Sequence, residues 1–242
     1  MKPRLLDLFC GAGGCSEGYR RAGFAPYGID NNPKALKFYP FPYICMDALE
    51  AMDRLLRGEG LTFNNGETLY LVDFAAFHAS PECKGYSNLA YMNPGRTWQL
   101  LIVPVRERLV ASGKLYVIEN VETAPLSSKP DLFGALGVIL CGSMFGLGIE
   151  RGYLRRHRLF ETNFAIPQLN CSHKGVAVGV YGHGGHTKKH RMLYRQEASE
   201  AMGIDWMNRD CMCQAIPPAY TEFIGKYLMA EVLNRKGKEA QI

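Results

Sequence analysis

The chain has 242 residues, 47% of them hydrophobic and 21% charged, which suits one folded domain with a full core and excludes a disordered polymer. No apolar run reaches the roughly 18 residues that span a bilayer, and Met1-Lys2-Pro3-Arg4 leads straight into a strand-like stretch, so neither a membrane span nor a leader peptide is expected. A net charge of +5 permits a polyanionic partner without demanding one, and eight irregularly spaced cysteines suit a reducing cytoplasm better than a disulfide framework.

Through the first half, short apolar runs alternate with helical stretches, the pattern of a parallel sheet with helices on both faces. Strands are predicted over 4–9, 25–30, 43–46, 74–79 and 115–119. Helices are predicted over 16–22, 33–38, 49–57 and 97–111, with a loop over 58–66. Beyond Pro125 the rhythm changes, and 140–145 and 158–162 are expected to pair as a hairpin. From Phe164 to about Gln214 the chain turns polar and glycine-rich without a strong period, as an inserted surface module would. Pro217-Pro218 then opens a last helix to about Asn234, since proline suits a first helical turn.

Asp7-Leu8-Phe9-Cys10-Gly11-Ala12-Gly13-Gly14 follows the first strand and precedes a helix. Glycines there let the backbone approach a ligand and take positive φ angles. Asp30 ends the second strand, where a carboxylate can accept hydrogen bonds from ribose hydroxyls. Asp47 follows the third strand, placed to meet an adenine amino group. By itself such a turn is equally a tight strand-to-helix connection with no ligand. A phosphate loop is excluded, because its lysine and serine or threonine are missing.

The octad from Asp7 to Gly14 resembles the first motif of the DNA cytosine-carbon-5 methyltransferases. Further matches follow in order. Ala79-Ser80-Pro81-Glu82-Cys83-Lys84-Gly85-Tyr86-Ser87 is similar to the family's nucleophile loop, and Ile118-Glu119-Asn120-Val121 to its Glu-Asn-Val motif. Arg155-Arg156-His157-Arg158 resembles the basic motif, and Gln214-Ala215-Ile216-Pro217-Pro218-Ala219-Tyr220 the closing motif of compact, phage-type members. The resemblance spans roughly 4–164 and 201–230. It implies an α/β fold, a Rossmann-like S-adenosylmethionine (SAM)-dependent methyltransferase sheet carrying a small inserted target-recognition region. The catalytic, SAM-binding unit would be 1–164 with 214–242, and the insertion 165–213.

The same resemblance implies roles. Cys83 would be the nucleophile, since a thiolate adding to carbon 6 of cytosine makes carbon 5 able to take a methyl group. Glu119 would protonate ring nitrogen 3, which needs a raised pKa. Arg156 and Arg158 would steady the thiolate or Glu119 and touch DNA, and nearby positive charge favours a thiolate. Phe9, Cys10, Gly11, Ala12, Gly13, Gly14, Asp30, Asp47, Ser80 and Pro81 would form the SAM site. The target base must leave the stack, and the loop from Lys84 to Arg96, with Tyr86 and Tyr91, would close over it.

In the insertion, Lys174, Lys188, Lys189 and Arg191, interleaved with His183, His186 and His190, are expected to position double-stranded DNA. Cys171-x-His173 and Cys211-x-Cys213 fall short of the usual spacing of zinc ligands, so no metal is expected. A monomer in the cytoplasm, away from membranes, is the expected state.

One departure concerns the nucleophile loop. The family's Pro-Pro-Cys-Gln is here Pro81-Glu82-Cys83-Lys84. Glu82 places a carboxylate beside the thiol, which by itself raises the thiol pKa, and Lys84 offsets it. A functional alternative is selection of an unusual base or donor, with Lys84 holding the carboxylate of carboxy-SAM. An RNA cytosine methyltransferase and a catalytically silent DNA-binding relative stay open beside the DNA enzyme.

Overall fold

Strand β1 (Arg4–Leu8) is apolar on both faces, and Leu5, Leu6 and Leu8 are buried, as a strand at the centre of a parallel sheet requires. In the computed structural model, residues 1–87, 95, 97–127, 136–181 and 191–239 are described, with the backbone alone at 136, 191, 192 and 239. Around β1 the chain winds α1 (Gly14–Arg21), β2 (Ala25–Asp30), α2 (Pro33–Leu36), β3 (Tyr43–Cys45) and α3 (Ala48–Leu56). A short hairpin, β4 (Leu61–Thr62) with β5 (Thr68–Leu69), follows where a plain loop was expected. Then come β6 (Phe74–Ala79), α4 (Ile102–Ala111), β7 (Leu115–Asn120), β8 (Leu136–Leu140), β9 (Gly148–Ile149), β10 (Gly152–Leu154) and β11 (Arg158–Thr162). The chain continues through β12 (Val176–Gly179), β13 (Arg191–Met192), α5 (Arg195–Met202), α6 (Arg209–Gln214) and α7 (Pro218–Glu239).

A seven-stranded sheet runs in the order β3-β2-β1-β6-β7-β11-β8. It is parallel from β3 to β7, and β11 is antiparallel to both of its neighbours. Alternate side chains of β1 feed two cores, because successive residues of a strand face opposite ways. Leu6 and Leu8 join Met52, Leu55, Val105 and Leu109 under α3 and α4. Leu5 joins Tyr19, Tyr220, Ile224 and Leu228 under α1 and α7. The second layer needs a close helix approach. A Cβ at Gly18 would lie 2.1 Å from Thr221 Oγ1, and one at Gly225 would lie 2.5 Å from the Ala22 Cβ.

A second sheet, ordered β13-β12-β10-β9, lies in the later part of the chain. Leu154 and Val178 of its strands, with Val180 and Leu193 just past the ends of β12 and β13, pack with Ala198, Met202 and Met212 of α5 and α6. The stretch read as a polar surface module thus contains a core of its own. Strands β10 and β12 contribute one and two buried residues, and only α5 places three, Ala198, Ala201 and Met202, on one helical face, too short a run to stand out in the sequence. This sheet also takes in β9 and β10, which precede residue 165.

Two further boundaries differ from expectation. The helix predicted from 97 begins at Ile102, because Pro104 inside a longer helix would clash with the carbonyl of residue 100. Residues Gly142–Phe145 form a 3-10 turn, while Leu136–Leu140 is the strand that pairs with β11. No helix among the described residues is long and apolar enough to cross a membrane.

Candidate active site at the carboxyl edge of the sheet

The turn after β1 is built on left-handed backbone. Phe9 has φ 60°, beside Gly11 at 52° and Gly13 at 91°. For a bulky residue such as Phe9 this conformation costs of order 1–3 kcal/mol and persists only where the surroundings enforce it. They do so through three ties. Cys10 N–H donates to the Ile29 carbonyl at 3.1 Å, Gly11 N–H donates to Asp30 Oδ2 at 2.8 Å, and Trp206 Nε1 donates to the Ala12 carbonyl at 2.9 Å. Asp30 also accepts from Asn32 N–H through Oδ1, so the carboxylate expected at a ribose braces the turn as well. Cys10 and Ala12 are buried. Gly14 lies against the chain before α7, where a Cβ would come within 2.4 Å of the Ile216 carbonyl. Asp47 is the N-cap of α3, its Oδ1 accepting from Leu49 and Glu50 N–H at 2.9 and 3.0 Å.

Cys83 follows β6 in a partly buried loop whose base is held by Asn120, which donates to the Pro81 carbonyl at 2.8 Å. Burial pushes the Cys83 thiol up, and the Arg158 guanidinium pulls it back down. Glu119, at the end of β7, is buried and its carboxyl is raised by desolvation, against the same Arg158 and a hydrogen bond from Ser80. Arg158 Nε stands 3.1 Å from Glu119 Oε1. Glu82 turns outward and pairs with Lys84 at 2.7 Å, both side chains about half exposed (47% and 48%), so solvent screens that carboxylate.

The two arginines of the basic motif part company. Arg158 meets Glu119, whereas Arg156 is buried and donates to the carbonyls of Val180 and Cys213, each at 2.8 Å. Burial lowers its pKa to about 10. Tyr220, from the closing motif, donates to the Arg156 carbonyl at 2.6 Å. Arg156 is therefore a clamp between the small sheet and the helix-bearing end of the chain, and direct contact with Glu119 falls to Arg158.

Of the expected closing loop, Tyr86 is tied down, since its hydroxyl accepts from Ile102 N–H at 3.0 Å. Tyr91 and Arg96 lie outside the described residues, as do Lys188, Lys189, His183, His186 and His190. Lys174 is exposed ahead of β12, and Arg191 lies on β13. Cys171 and His173 do not approach Cys211 and Cys213. They gather instead with Cys141 and His157, while Cys213 Sγ donates to the Tyr181 carbonyl.

A buried polar chain escaped sequence reasoning. Tyr19 Oη lies 2.9 Å from His78 Nδ1, and His78 Nε2 lies 2.9 Å from Ser80 Oγ. His78 is wholly buried, which drives its pKa down to about 3 and keeps it neutral. With Ser80 donating to Glu119, the hydrogen bonds run in one direction from Tyr19 through His78 to that carboxyl. The one available signal was a histidine inside an otherwise apolar strand, Phe-Ala-Ala-Phe-His-Ala. Asp7, likewise buried, accepts from Ser16 and is raised by burial to about 7.

No family model matches the chain. A type II methyltransferase, M.AgeI of Thalassovita gelatinovora, is 34% identical over 127 residues, which is 49% of this chain and 28% of that protein. Solved structures share the fold. A candidate DNA modification methyltransferase encoded within an Escherichia coli prophage superposes with a TM-score of 0.56 at 13% identity, over 96% of this chain and 99% of that one. Dnmt2 methyltransferase of S. pombe gives 0.56 at 14% identity, over 96% and 99%. DNMT2 of Spodoptera frugiperda gives 0.59 at 11% identity, over 94% and 99%. The chain thus matches part of a type II methyltransferase in sequence and shares its α/β fold with these solved methyltransferases, and the residues of its motifs stand at the carboxyl edge of that sheet.

Proposed function

We propose that this protein transfers a methyl group from SAM to carbon 5 of cytosine in double-stranded DNA, through a covalent adduct on Cys83. The observation that carries the proposal is the Arg158–Glu119 pair, 3.1 Å apart beside the Cys83 loop. It joins a buried carboxyl whose pKa desolvation raises to a cation that favours the thiolate.

The turn suits the donor. A Cβ on Gly11 would meet nothing within 4 Å, so the backbone there is open to a ligand. Phe9, Gly11, Gly13 and Asp30 would hold SAM, with Ser80 and Pro81 across the sheet edge. SAM, when bound, supplies an electrophilic methyl group on its sulfonium.

This chain's residues do the rest. The Cys83 thiolate forms a bond to carbon 6 of the flipped base while Glu119 gives a proton to nitrogen 3. Carbon 5, now enamine-like, takes the methyl group. Loss of the carbon 5 proton to solvent, return of the nitrogen 3 proton to Glu119 and cleavage of the sulfur–carbon bond restore the thiolate, the acid and the aromatic ring. Residues 165–213 would serve target recognition, with Lys174, Lys188, Lys189 and Arg191 on phosphates.

A second donor, carboxy-SAM, would need Lys84 free for its carboxylate. The ion pair with Glu82 favours the ordinary donor instead. The test is mass analysis of nucleosides from DNA and from RNA treated with enzyme and SAM. The expected product is 5-methylcytosine in DNA, lost by at least about 10³-fold in Cys83→Ala, as for removal of a nucleophile. Product in RNA alone, or retained turnover without the thiol, overturns the proposal.

A further inference from the structure

Four side chains that the transfer reaction leaves idle meet where three loops converge. Cys141 follows β8, His157 stands between the two arginines ahead of β11, and Cys171 and His173 lie on the approach to β12. One ligand atom from each falls within 4.8 Å of all the others. His157 Nε2 is 3.3 Å from Cys171 Sγ, and Cys141 Sγ is 3.5 Å from His173 Nε2. Sulfur at about 2.3 Å and nitrogen at about 2.0 Å from a tetrahedral zinc ion stand roughly 3.6 Å apart. The two measured pairs therefore need to move by only a few tenths of an ångström.

The surroundings are those of a ligating set. His157 Nδ1 is 3.6 Å from Glu122 Oε2, the carboxylate partner that orients a metal-bound imidazole. Ser143 Oγ donates to Cys141 Sγ at 3.4 Å, a contact suited to a thiolate. Tyr153 stacks on His173, with ring centres 5.4 Å apart and planes 12° apart, which fixes that ring. Cys141 is buried while Cys171 and His173 are exposed, so the cluster is closed on one side and open to an entering ion on the other.

We propose that Cys141, His157, Cys171 and His173 bind one zinc ion as a structural site. On binding, both thiols release their protons to solvent and the sulfurs bind as thiolates. The ion would tie the end of β8 and the entry to β12 to the segment that carries Arg156 and Arg158. Arg158, on Glu119, would then be held in register by a bond network it does not itself join.

Metal analysis of the full chain, purified without chelator from zinc-supplied cells, tests this. About one zinc per chain is expected, and cobalt substitution should give the intense visible bands and thiolate charge-transfer absorption of a tetrahedral S₂N₂ site. Cys171→Ser and His173→Gln change exposed positions, so the fold survives, and each should reduce bound zinc at least about tenfold, since a structural site needs all four ligands. Cys45→Ser, at an exposed cysteine far along the chain, should keep the full complement. A folded wild type with neither zinc nor a cobalt spectrum overturns the proposal. So does a Cys141–Cys171 disulfide in the intact mass, or zinc that persists in both ligand variants.

Discussion

The carboxyl edge of the seven-stranded sheet and the smaller four-stranded sheet are held together by different means. At the edge, charged and polar groups sit on strand ends and are fixed by specific polar partners: Asp30 by the Gly11 N–H, Asn120 by the Pro81 carbonyl, Glu119 by the Arg158 guanidinium. The small sheet depends on scattered apolar contacts and on one buried arginine whose guanidinium donates to two carbonyls. The basic motif serves both regions, Arg156 one and Arg158 the other. Similar residues two positions apart thus acquire different tasks, because Arg158 begins β11 whereas Arg156 lies in the irregular connection before it, outside the alternation of the strand. Changes in the small sheet should therefore be read in stability, and changes at the edge in rate and binding.

The sharpest way to break that contrast is Arg156→Ala. It strands the Val180 and Cys213 carbonyls in a buried place, and the expected loss is about 3–5 kcal/mol, as for dismantling a buried charged network. Urea denaturation measures it, and a loss below about 1 kcal/mol would mean that Arg156 is no clamp.

Arg158→Ala should leave stability far less affected and slow turnover by roughly 10–100-fold, the effect of losing a positioned charge. The sign of its pH effect follows from the thiol. Arg158 holds the Cys83 pKa down, so without it the thiolate forms only at higher pH, and the rising limb of the rate profile should move to the alkaline side. An unmoved limb would separate Arg158 from the nucleophile.

Asp30→Ala should weaken SAM binding by about 1–3 kcal/mol, because Gly11 N–H loses its acceptor and the turn loosens. Asp47→Ala removes a helix cap, so a stability loss of about 1 kcal/mol is expected from it. Calorimetry and thermal unfolding together separate the two, and unchanged SAM affinity in both would move the donor pocket elsewhere.

The smallest effect is expected for Lys84→Gln. Its partner is about half exposed, so the pair contributes about 0–1 kcal/mol, and methyl transfer should change by less than about fivefold. Rates with SAM and carboxy-SAM side by side check this. A selective loss of roughly 10-fold or more with carboxy-SAM would assign Lys84 to the donor.

The parallel half of the fold was plain in the residues. Strands over 25–30 and 74–79 coincide with β2 and β6, because each is a short apolar run bounded by turn residues. The glycine turn, the Cys83 loop and Glu119 lie at strand ends, where their motifs had placed them, because such short segments depend on local backbone that the local sequence encodes. Everything that needs distant residues was hidden. The core under β12 and α5 draws on residues from Ala12 to Met212, and no window of sequence contains it. The separate paths of Arg156 and Arg158 depend on carbonyls 24 and 57 residues away from Arg156. The chain from Tyr19 to Ser80 crosses 59 residues in its first hydrogen bond. Cys171 and His173 carry a spacing that suggests nothing, and only the convergence of three loops brings Cys141 and His157 to them. Local order thus determined the strands and the motif-bearing turns, while the pairing of side chains across the chain was decided by tertiary packing, which alone sets which remote groups share a low-dielectric space.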